Sequence, residues 1–326
     1  MLDVIGFGSL NLDEFWEVTP GFLQAHGLRP GEEYVRDFDW FAEVYPLLSI
    51  EGDLKAADPG GSAANMIAAL FRMGFTTGFY GATGKNDVGH LRLEELGKPE
   101  NLKIETPEVP AGRCLALIDT QDPGRDRALV VLPNANDLAG SDEMDLQYFA
   151  DTHWVHLTSF VSRGPLSAQI KLVEALPEKV RISFDPGVIY SALGLDVLQP
   201  ILCRADSLFI TSEELKTLTD QPDVEQSAED LLEIGARTVV VKLGAKGMLA
   251  FQRGRSVFQS AVPPAVVNDR TGAGDVAAAG FLAGRLKSLP LEVCLELAAA
   301  AASKSIEGYG RSTYPDRDFL ARFLAV

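Results

Sequence analysis

Short apolar runs bounded by glycine or polar residues recur along the chain, and most of them precede segments with helical spacing of apolar residues. The strand-like runs cover residues 2–8, 77–82, 154–159, 180–185, 207–210 and 238–243. The helical patterns cover residues 63–72, 89–96, 165–175, 212–218, 224–234, 274–286 and 291–305. This alternation predicts an α/β fold with a doubly wound, mainly parallel sheet flanked by helices, in which ligands bind at the carboxyl ends of the strands.

Two stretches interrupt the alternation. Residues 10–57 are polar and punctuated by proline and glycine, and two β-patterned runs at 114–119 and 128–132 flank the turn-rich segment 121–126. The second stretch predicts a hairpin that projects from the core. We interpret parts of residues 12–57 and 104–133 as a small β lid over a ligand cleft within one domain spanning 1–326; the alternative is an ordinary surface hairpin.

Composition narrows the classes of partner. The 326 residues are 46% hydrophobic and carry a formal net charge of -17, so nucleic acid and anionic membranes are not expected as partners. Three widely separated cysteines, Cys114, Cys203 and Cys294, fit a reducing compartment. No run of about 18 apolar residues occurs. These features predict a cytoplasmic protein. We expect a monomer or homodimer whose partners are small molecules.

The strongest chemical signal is the segment 268–275, Asn-Asp-Arg-Thr-Gly-Ala-Gly-Asp, which leads into a helix of small residues. Gly272, Ala273 and Gly274 let backbone N–H groups converge at the helix N-terminus, which makes an anion hole suited to a transferring phosphoryl group. Asp275 lies at the same point and can take the proton of an attacking hydroxyl. The alternative is a helix-capping aspartate after a tight turn.

A second glycine cluster precedes another Ala-rich helix. Gly60 and Gly61 let a ligand approach the backbone closely, and Asn65, one turn into the helix, can exchange hydrogen bonds with a polyol. The alternative is a loop in which Ser62 caps the helix.

Together these segments resemble the signatures of the ribokinase-like, PfkB-type carbohydrate and nucleoside kinases. Residues 60–65 resemble the family's GGxxxN motif, and residues 269–275 resemble its DTxGAGD motif. Weaker similarities continue at residues 8–13, 84–89, 135–136 and 241–247, so the resemblance covers essentially the whole chain. It implies an ATP-dependent kinase that phosphorylates a hydroxyl of a small sugar or a nucleoside.

The resemblance also implies roles for individual residues. Asn11 and Asp13 become ligands of the acceptor hydroxyls, together with Gly60, Gly61 and Asn65. Asp13 is expected at the carboxyl end of the first strand, facing Asp275 across the cleft. ATP binding is assigned to Thr211, Lys242, Gly244, Gly247, Ala300 and Ser303. Glu214 is expected to act through water on Mg²⁺, although Thr211 occupies the place of the asparagine usual in its motif. Asp269 is the candidate for a monovalent cation such as K⁺, and Arg270 either replaces that cation or faces solvent.

The acceptor is open at this level. Residues 21–48 resemble the lid insertion of adenosine-kinase-like members, which favours a nucleoside, but sugar kinases carry similar lids. The aromatic residues of this region either stack on a purine or pack the lid against the core: Phe15, Trp16, Phe38, Trp40 and Phe41. A different class, a non-catalytic sugar- or nucleotide-binding protein of the same fold, is disfavoured by the intact Asp275. A dinucleotide site is disfavoured because the segment at Gly6 lacks the third glycine.

Overall fold

A computed structural model describes residues 1–121, 127–141 and 144–325. Its main sheet has nine strands: β1 Leu2–Phe7, β5 Thr77–Ala82, β6 Leu102–Glu105, β9 Thr152–Thr158, β10 Arg181–Asp185, β11 Ala205–Thr211, β12 Val239–Lys242, β13 Gly247–Gln252 and β14 Arg255–Ser260. Their order is β14-β13-β12-β11-β10-β9-β1-β5-β6. The seven strands β12, β11, β10, β9, β1, β5 and β6 pair in parallel, and β13 and β14 add an antiparallel edge. The predicted mainly parallel sheet is confirmed.

Helices cover both faces of this sheet. They are α3 Ser62–Arg72, α4 Leu146–Ala150, α5 Arg163–Ala175, α6 Gly187–Ser191, α7 Leu195–Leu202, α8 Ser212–Thr219, α9 Val224–Ile234, α10 Ala273–Leu286, α11 Leu291–Ser305 and α12 Arg317–Leu324. One buried cluster joins α3, α10 and α11 to one face, and a second joins α5, α7 and α9 to the other. Small residues bring α10 and α11 close together, because a Cβ at Gly280 would lie 2.8 Å from the carbonyl of Leu297.

A second sheet of five strands stands beside the first. Its strands are β2 Asn11–Val18, β3 Glu33–Val35, β4 Asp53–Gly60, β7 Gly112–Asp119 and β8 Arg127–Leu132, in the order β3-β8-β7-β2-β4. Helices α1 Pro20–Ala25 and α2 Phe38–Glu51 complete this unit, which has its own apolar core around Trp16, Leu48 and Leu117.

The β7–β8 pair is antiparallel, as the predicted hairpin requires. Residues 122–126 of its expected turn lie outside the described residues.

Two local predictions are wrong. The expected helix at 89–96 is a pair of short 3₁₀ turns, Val88–His90 and Leu93–Glu95, because Arg92 between them adopts a left-handed conformation with φ of 42°. Asp13 lies inside β2 of the second sheet rather than at the carboxyl end of the first strand. In the described residues, no helix is long and apolar enough to cross a membrane.

Candidate active site

The loop before α10 exposes the start of a long helix. Gly272 has φ of 73°, which favours glycine, and among the described residues no side chain caps the helix there. A Cβ at Gly274 would lie 3.6 Å from the ammonium nitrogen of Lys242, so the backbone of this first turn faces that cation. The predicted Gly272, Ala273 and Gly274 therefore form a helix N-terminus whose N–H groups can receive an anion.

Asp275 lies in this first turn with its carboxylate held by another helix. Its Oδ2 accepts a hydrogen bond of 3.0 Å from Nδ2 of Asn65, which is on α3. Burial raises the pKa of Asp275 to about 7, while the bond from Asn65 and the charge of Lys242 oppose that rise. A carboxyl with a pKa near 7 is suited to accept a proton at physiological pH.

Asn65 in turn is held by an arginine that the sequence patterns did not single out. Arg311, in the segment between α11 and α12, donates from Nε to Oδ1 of Asn65 at 3.2 Å and from Nη1 to Glu95 at 3.2 Å. Its side chain is only 3% exposed. Glu95 also accepts from Arg92 at 3.4 Å, and Arg92 pairs with Asp58.

Asp13 brings a second carboxylate to the same region from the second sheet. Burial raises its pKa to about 7; the charge of Arg311 lowers the pKa, and the charge of Asp275 raises it further. Its Oδ1 is buried without a hydrogen-bond partner among the described residues. A Cβ at Gly60 would overlap this carboxylate, so glycine is required there. Oδ1 of Asp13 is thus available to accept a hydrogen bond from a hydroxyl group of a bound ligand.

The other two predicted acceptor residues lie at element junctions: Asn11 is the first residue of β2, and Gly61 immediately precedes α3. Asn11 accepts a hydrogen bond of 2.7 Å from the buried Asn136, whose own oxygen receives the backbone N–H of Leu10 at 2.8 Å. Gly61 is the N-cap residue of α3 with φ of 100°, and a Cβ there would overlap the carbonyl of Ser9. These contacts fix the passage from β1 to β2 against the start of α3.

A cleft of about 560 Å³ borders the α10 N-terminus. Its walls are mostly apolar and come from the loop after β12, the segment after β14, and helices α10 and α11. The residues around it include the predicted Lys242, Gly244, Gly247 and Ser303, joined by Arg270, Ala273 and Gly274. Ala299 and Ala302 of α11 line the cleft, whereas Ala300 and Thr211 are not among its lining residues. The exposed Arg270 faces this cleft.

Lys242 ends β12 at the junction between this cleft and Asp275. Its ammonium group forms a 2.6 Å ion pair with Asp185, at the end of β10, which is separated from β12 by β11 in the sheet. Burial lowers the pKa of Lys242, but the charges of Asp185 and Glu214 outweigh it and raise the pKa overall. Lys242 therefore stays charged and can meet a phosphate. Asp185 was missed, although a polar residue at the carboxyl end of a buried strand is a signal that could have identified it.

The two predicted metal-binding residues are held by the backbone. Glu214 and Thr211 form a capping box at the start of α8, in which the Thr211 N–H donates to Glu214 Oε2 at 2.8 Å. Asp269 accepts from the N–H groups of Thr271 at 2.9 Å and Gly310 at 3.4 Å. Within the described ranges, no cluster of three or more His, Cys, Asp or Glu could hold a metal ion. The separate carboxylates of Glu214 and Asp269 would therefore suit Mg²⁺ only if phosphate and water supplied most of its ligands.

The site brings together a carboxylate of raised pKa, a helix N-terminus and a lysine, with an apolar cleft beside them and the polar side chains around Asp13 nearby. Transfer of a phosphoryl group from a nucleotide to a hydroxyl requires a general base, an anion-binding backbone and a cation for the phosphates. The fold and the site therefore define a small-molecule phosphotransferase.

Comparison with known proteins places the chain within this class. The pfkB family carbohydrate kinase description matches residues 50–317. A protein described as an uncharacterized sugar kinase, from Archaeoglobus fulgidus, is 32% identical over 241 residues, which cover 74% of this chain and 95% of that protein. An ATP-dependent ribose-1-phosphate kinase from Halopiger xanaduensis is 31% identical over 270 residues, covering 82% and 86% of the two chains. The solved structure of Arabidopsis thaliana ribokinase with ribose and ATP superposes with a TM-score of 0.79 at 24% identity, covering 100% and 99%.

The chain therefore belongs to the pfkB family of carbohydrate kinases, and it is an ATP-dependent kinase with the ribokinase fold.

Proposed function

We propose that this kinase transfers the γ-phosphoryl group of ATP to a hydroxyl of a small, uncharged sugar, with Asp275 as the base. The observation that carries the proposal is the position of Asp275. Its carboxylate lies in the first turn of a helix that no side chain caps within the described residues, is held by Asn65, and has a pKa raised to about 7. A base at a helix N-terminus can accept the proton of the hydroxyl while the N–H groups receive the phosphoryl oxygens.

The nucleotide is proposed to lie in the cleft beside Lys242. The apolar residues of α11 and of the segment after β14 would cover the adenine ring of ATP. Lys242 and the α10 N-terminus would receive the phosphates. Mg²⁺ would be held chiefly by the phosphates, with Glu214 acting through water, and would neutralise charge on the transferred group. Asp269 stays the candidate for a monovalent cation.

The acceptor is proposed to bind between Asp13 and Asp275. The acceptor-side group consists of Asp13, Asp58, Arg92, Glu95 and Arg311. Both of its arginines are already paired, Arg311 with Glu95 and Arg92 with Asp58. Asp13 adds a carboxylate whose Oδ1 has no partner among the described residues. A neutral polyol supplies hydroxyl donors to such a carboxylate, whereas a phosphate or carboxylate on the acceptor would meet like charge.

The five-stranded sheet is proposed to act as the lid, because it carries Asn11 and Asp13 and stands next to the base. Closure over a bound sugar would exclude water and so favour transfer to the sugar hydroxyl over hydrolysis.

A nucleoside acceptor is the second candidate. Trp16 is only 5% exposed and belongs to the lid core, and Trp40 and Phe41 pack against that core. Phe15 is different, because strand alternation places it on the same face of β2 as Asp13. A base stacked on Phe15 would accommodate adenosine or cytidine.

A panel of acceptors tests the proposal. ADP formation from ATP and Mg²⁺ would be measured with ribose, fructose, adenosine, cytidine, ribose-1-phosphate and 2-dehydro-3-deoxygluconate, each with and without K⁺. We expect kcat/KM to be at least about 10-fold higher for a neutral compound than for either anionic one. Preference for an anionic acceptor would contradict the charge argument. Thermal stabilisation by a compound without turnover would indicate a binding protein instead.

A further inference from the structure

A chain of polar contacts leads from the base to residues far from it in sequence. Asp275 accepts from Asn65, Asn65 accepts from Arg311, and Arg311 donates to Glu95. Asn65 and Arg311 are 7% and 3% exposed, so both lie almost entirely out of contact with water. Polar side chains buried to this degree are positioned by their partners.

The order of donors and acceptors in this chain permits only one orientation of the Asn65 amide. The guanidinium of Arg311 has donors and no acceptor, so it must face the amide oxygen. The NH₂ group of Asn65 is thereby turned to the carboxylate of Asp275, where it donates. With the amide reversed, an oxygen would face an oxygen at Asp275 and a nitrogen would face a nitrogen at Arg311.

We propose that Arg311 is a positioning residue, which orients Asn65 so that its amide donates to the base Asp275. This inference rests on the proposed function of Asp275. Glu95 accepts a hydrogen bond from the guanidinium and holds it in place. The positive charge of Arg311 also lowers the pKa of both Asp13 and Asp275. The charged or titratable groups that interact with Asp275 or Asp13 are Asp58 of β4, Cys114 of β7, Asp185 of β10, Lys242 of β12, Asp269 of the loop before α10, and Arg311 and Tyr314 of the segment after α11.

The structure offers a matched control for loss of the arginine. Arg72 on α3 donates to the backbone carbonyls of Arg311 and Ser312 at 2.7 and 3.5 Å, so it anchors the same segment without reaching Asn65. Arg311→Met removes the guanidinium and keeps an unbranched side chain, whereas Arg72→Met removes only an anchor of the segment.

The titration of Asp275 can be measured without any substrate. Protein with ¹³C-labelled aspartate carboxyl groups would be titrated by NMR, with Asp275→Asn used to assign the resonance. In Arg311→Met we expect the Asp275 midpoint to rise by about 1 pH unit or more, since both a nearby positive charge and the oriented donor are lost. Arg72→Met should leave the midpoint within about 0.3 pH unit of the wild type, well below the effect of a lost neighbouring charge.

A double-variant comparison asks whether Arg311 acts through Asn65. Arg311→Met should shift the midpoint less in the Asn65→Ala background than in the wild type, because the donor to be oriented is already gone. Equal shifts in both backgrounds, or equal shifts from Arg72→Met and Arg311→Met, would overturn the proposal. Failure of the proposed function has a separate signature, because Asp275→Asn would then retain turnover in the acceptor panel whatever the titrations show.

Discussion

Replacement of Asp275 by asparagine should move activity and stability in opposite directions. The amide keeps the size of the side chain and can still accept from Asn65, but it cannot take a proton from the acceptor. We expect kcat to fall by about 10² to 10⁴-fold, the range for loss of a general base. The KM for ATP should change little, because the cleft proposed for the nucleotide is built from other side chains.

The gain in stability follows from the pKa. Burial raises the pKa of Asp275 from 3.8 to about 7, so the folded state penalises the ionised form. That penalty is absent below pH 3.8, the pKa of the aspartate in the unfolded chain, and is complete above pH 7. The stability of the wild type therefore falls as pH rises between these two values. One pKa unit corresponds to about 1.4 kcal/mol, and the difference between 3.8 and about 7 therefore corresponds to about 4 kcal/mol at most. Asp275 titrates together with neighbouring carboxylates, and this coupling reduces the free-energy penalty that belongs to Asp275 alone. We therefore expect the variant to be about 2 to 4 kcal/mol more stable than the wild type at pH 8.

Urea unfolding at pH 5 and pH 8, together with ATP turnover at pH 8, would measure both effects. Asp318→Asn is the matched control, because Asp318 also lies in the first turn of a helix, α12, but is exposed. It should show neither the stability gain nor the loss of turnover. A stability difference between wild type and Asp275→Asn that does not grow from pH 5 to pH 8, or retained turnover, would refute the reasoning.

Three further predictions follow from the same contacts. Turnover should rise as pH increases through about 7, because Asp275 must be ionised to act; a flat kcat profile between pH 5.5 and 9 would contradict this. Gly60→Ala should raise the acceptor KM by about 10-fold or more through overlap with Asp13, without a matching change in the ATP KM; Gly21→Ala, where an added Cβ meets nothing nearer than 3.8 Å, is the control. Lys242→Met should lower the free energy of unfolding by about 3 to 5 kcal/mol, because Asp185 is left buried without its counter-charge. Adding Asp185→Asn should recover most of that loss, and failure to recover it would mean that the pair is not what stabilises this junction.

The parts of the fold that the sequence predicts well are those set by local pattern. The buried strand Val239–Lys242 opens with a continuous apolar run, and Gly272, immediately before α10, has a φ of 73° that favours glycine. The failure at residues 89–96 has a local cause too: the apolar spacing of a helix is present, but the left-handed Arg92 divides the segment. In the second sheet, β2 pairs in parallel with β7, about 100 residues away, and no local pattern specifies such a pairing.

The site divides in the same way. Candidate residues in glycine-rich motifs could be selected because those motifs imply a backbone requirement that the sequence itself shows. Arg311 could not, since its role depends on the helix position of Asn65, which is 246 residues away, and on Glu95. An isolated arginine between two helices is most often solvated, and only the tertiary structure shows it to be buried.

The short connections between the two sheets have a mechanical consequence. Only residues 8–10 separate β1 from β2, and only Gly61 separates β4 from α3. Segments this short and this tightly held leave little room for translation, so a five-stranded sheet that closes would turn as one rigid body about this fixed junction. Asn11, Asp13 and Phe15 would then approach the acceptor along a shared arc. A sugar that lacks one hydroxyl would change the angle at which the whole sheet comes to rest, and selectivity would depend on that angle as well as on the missing contact.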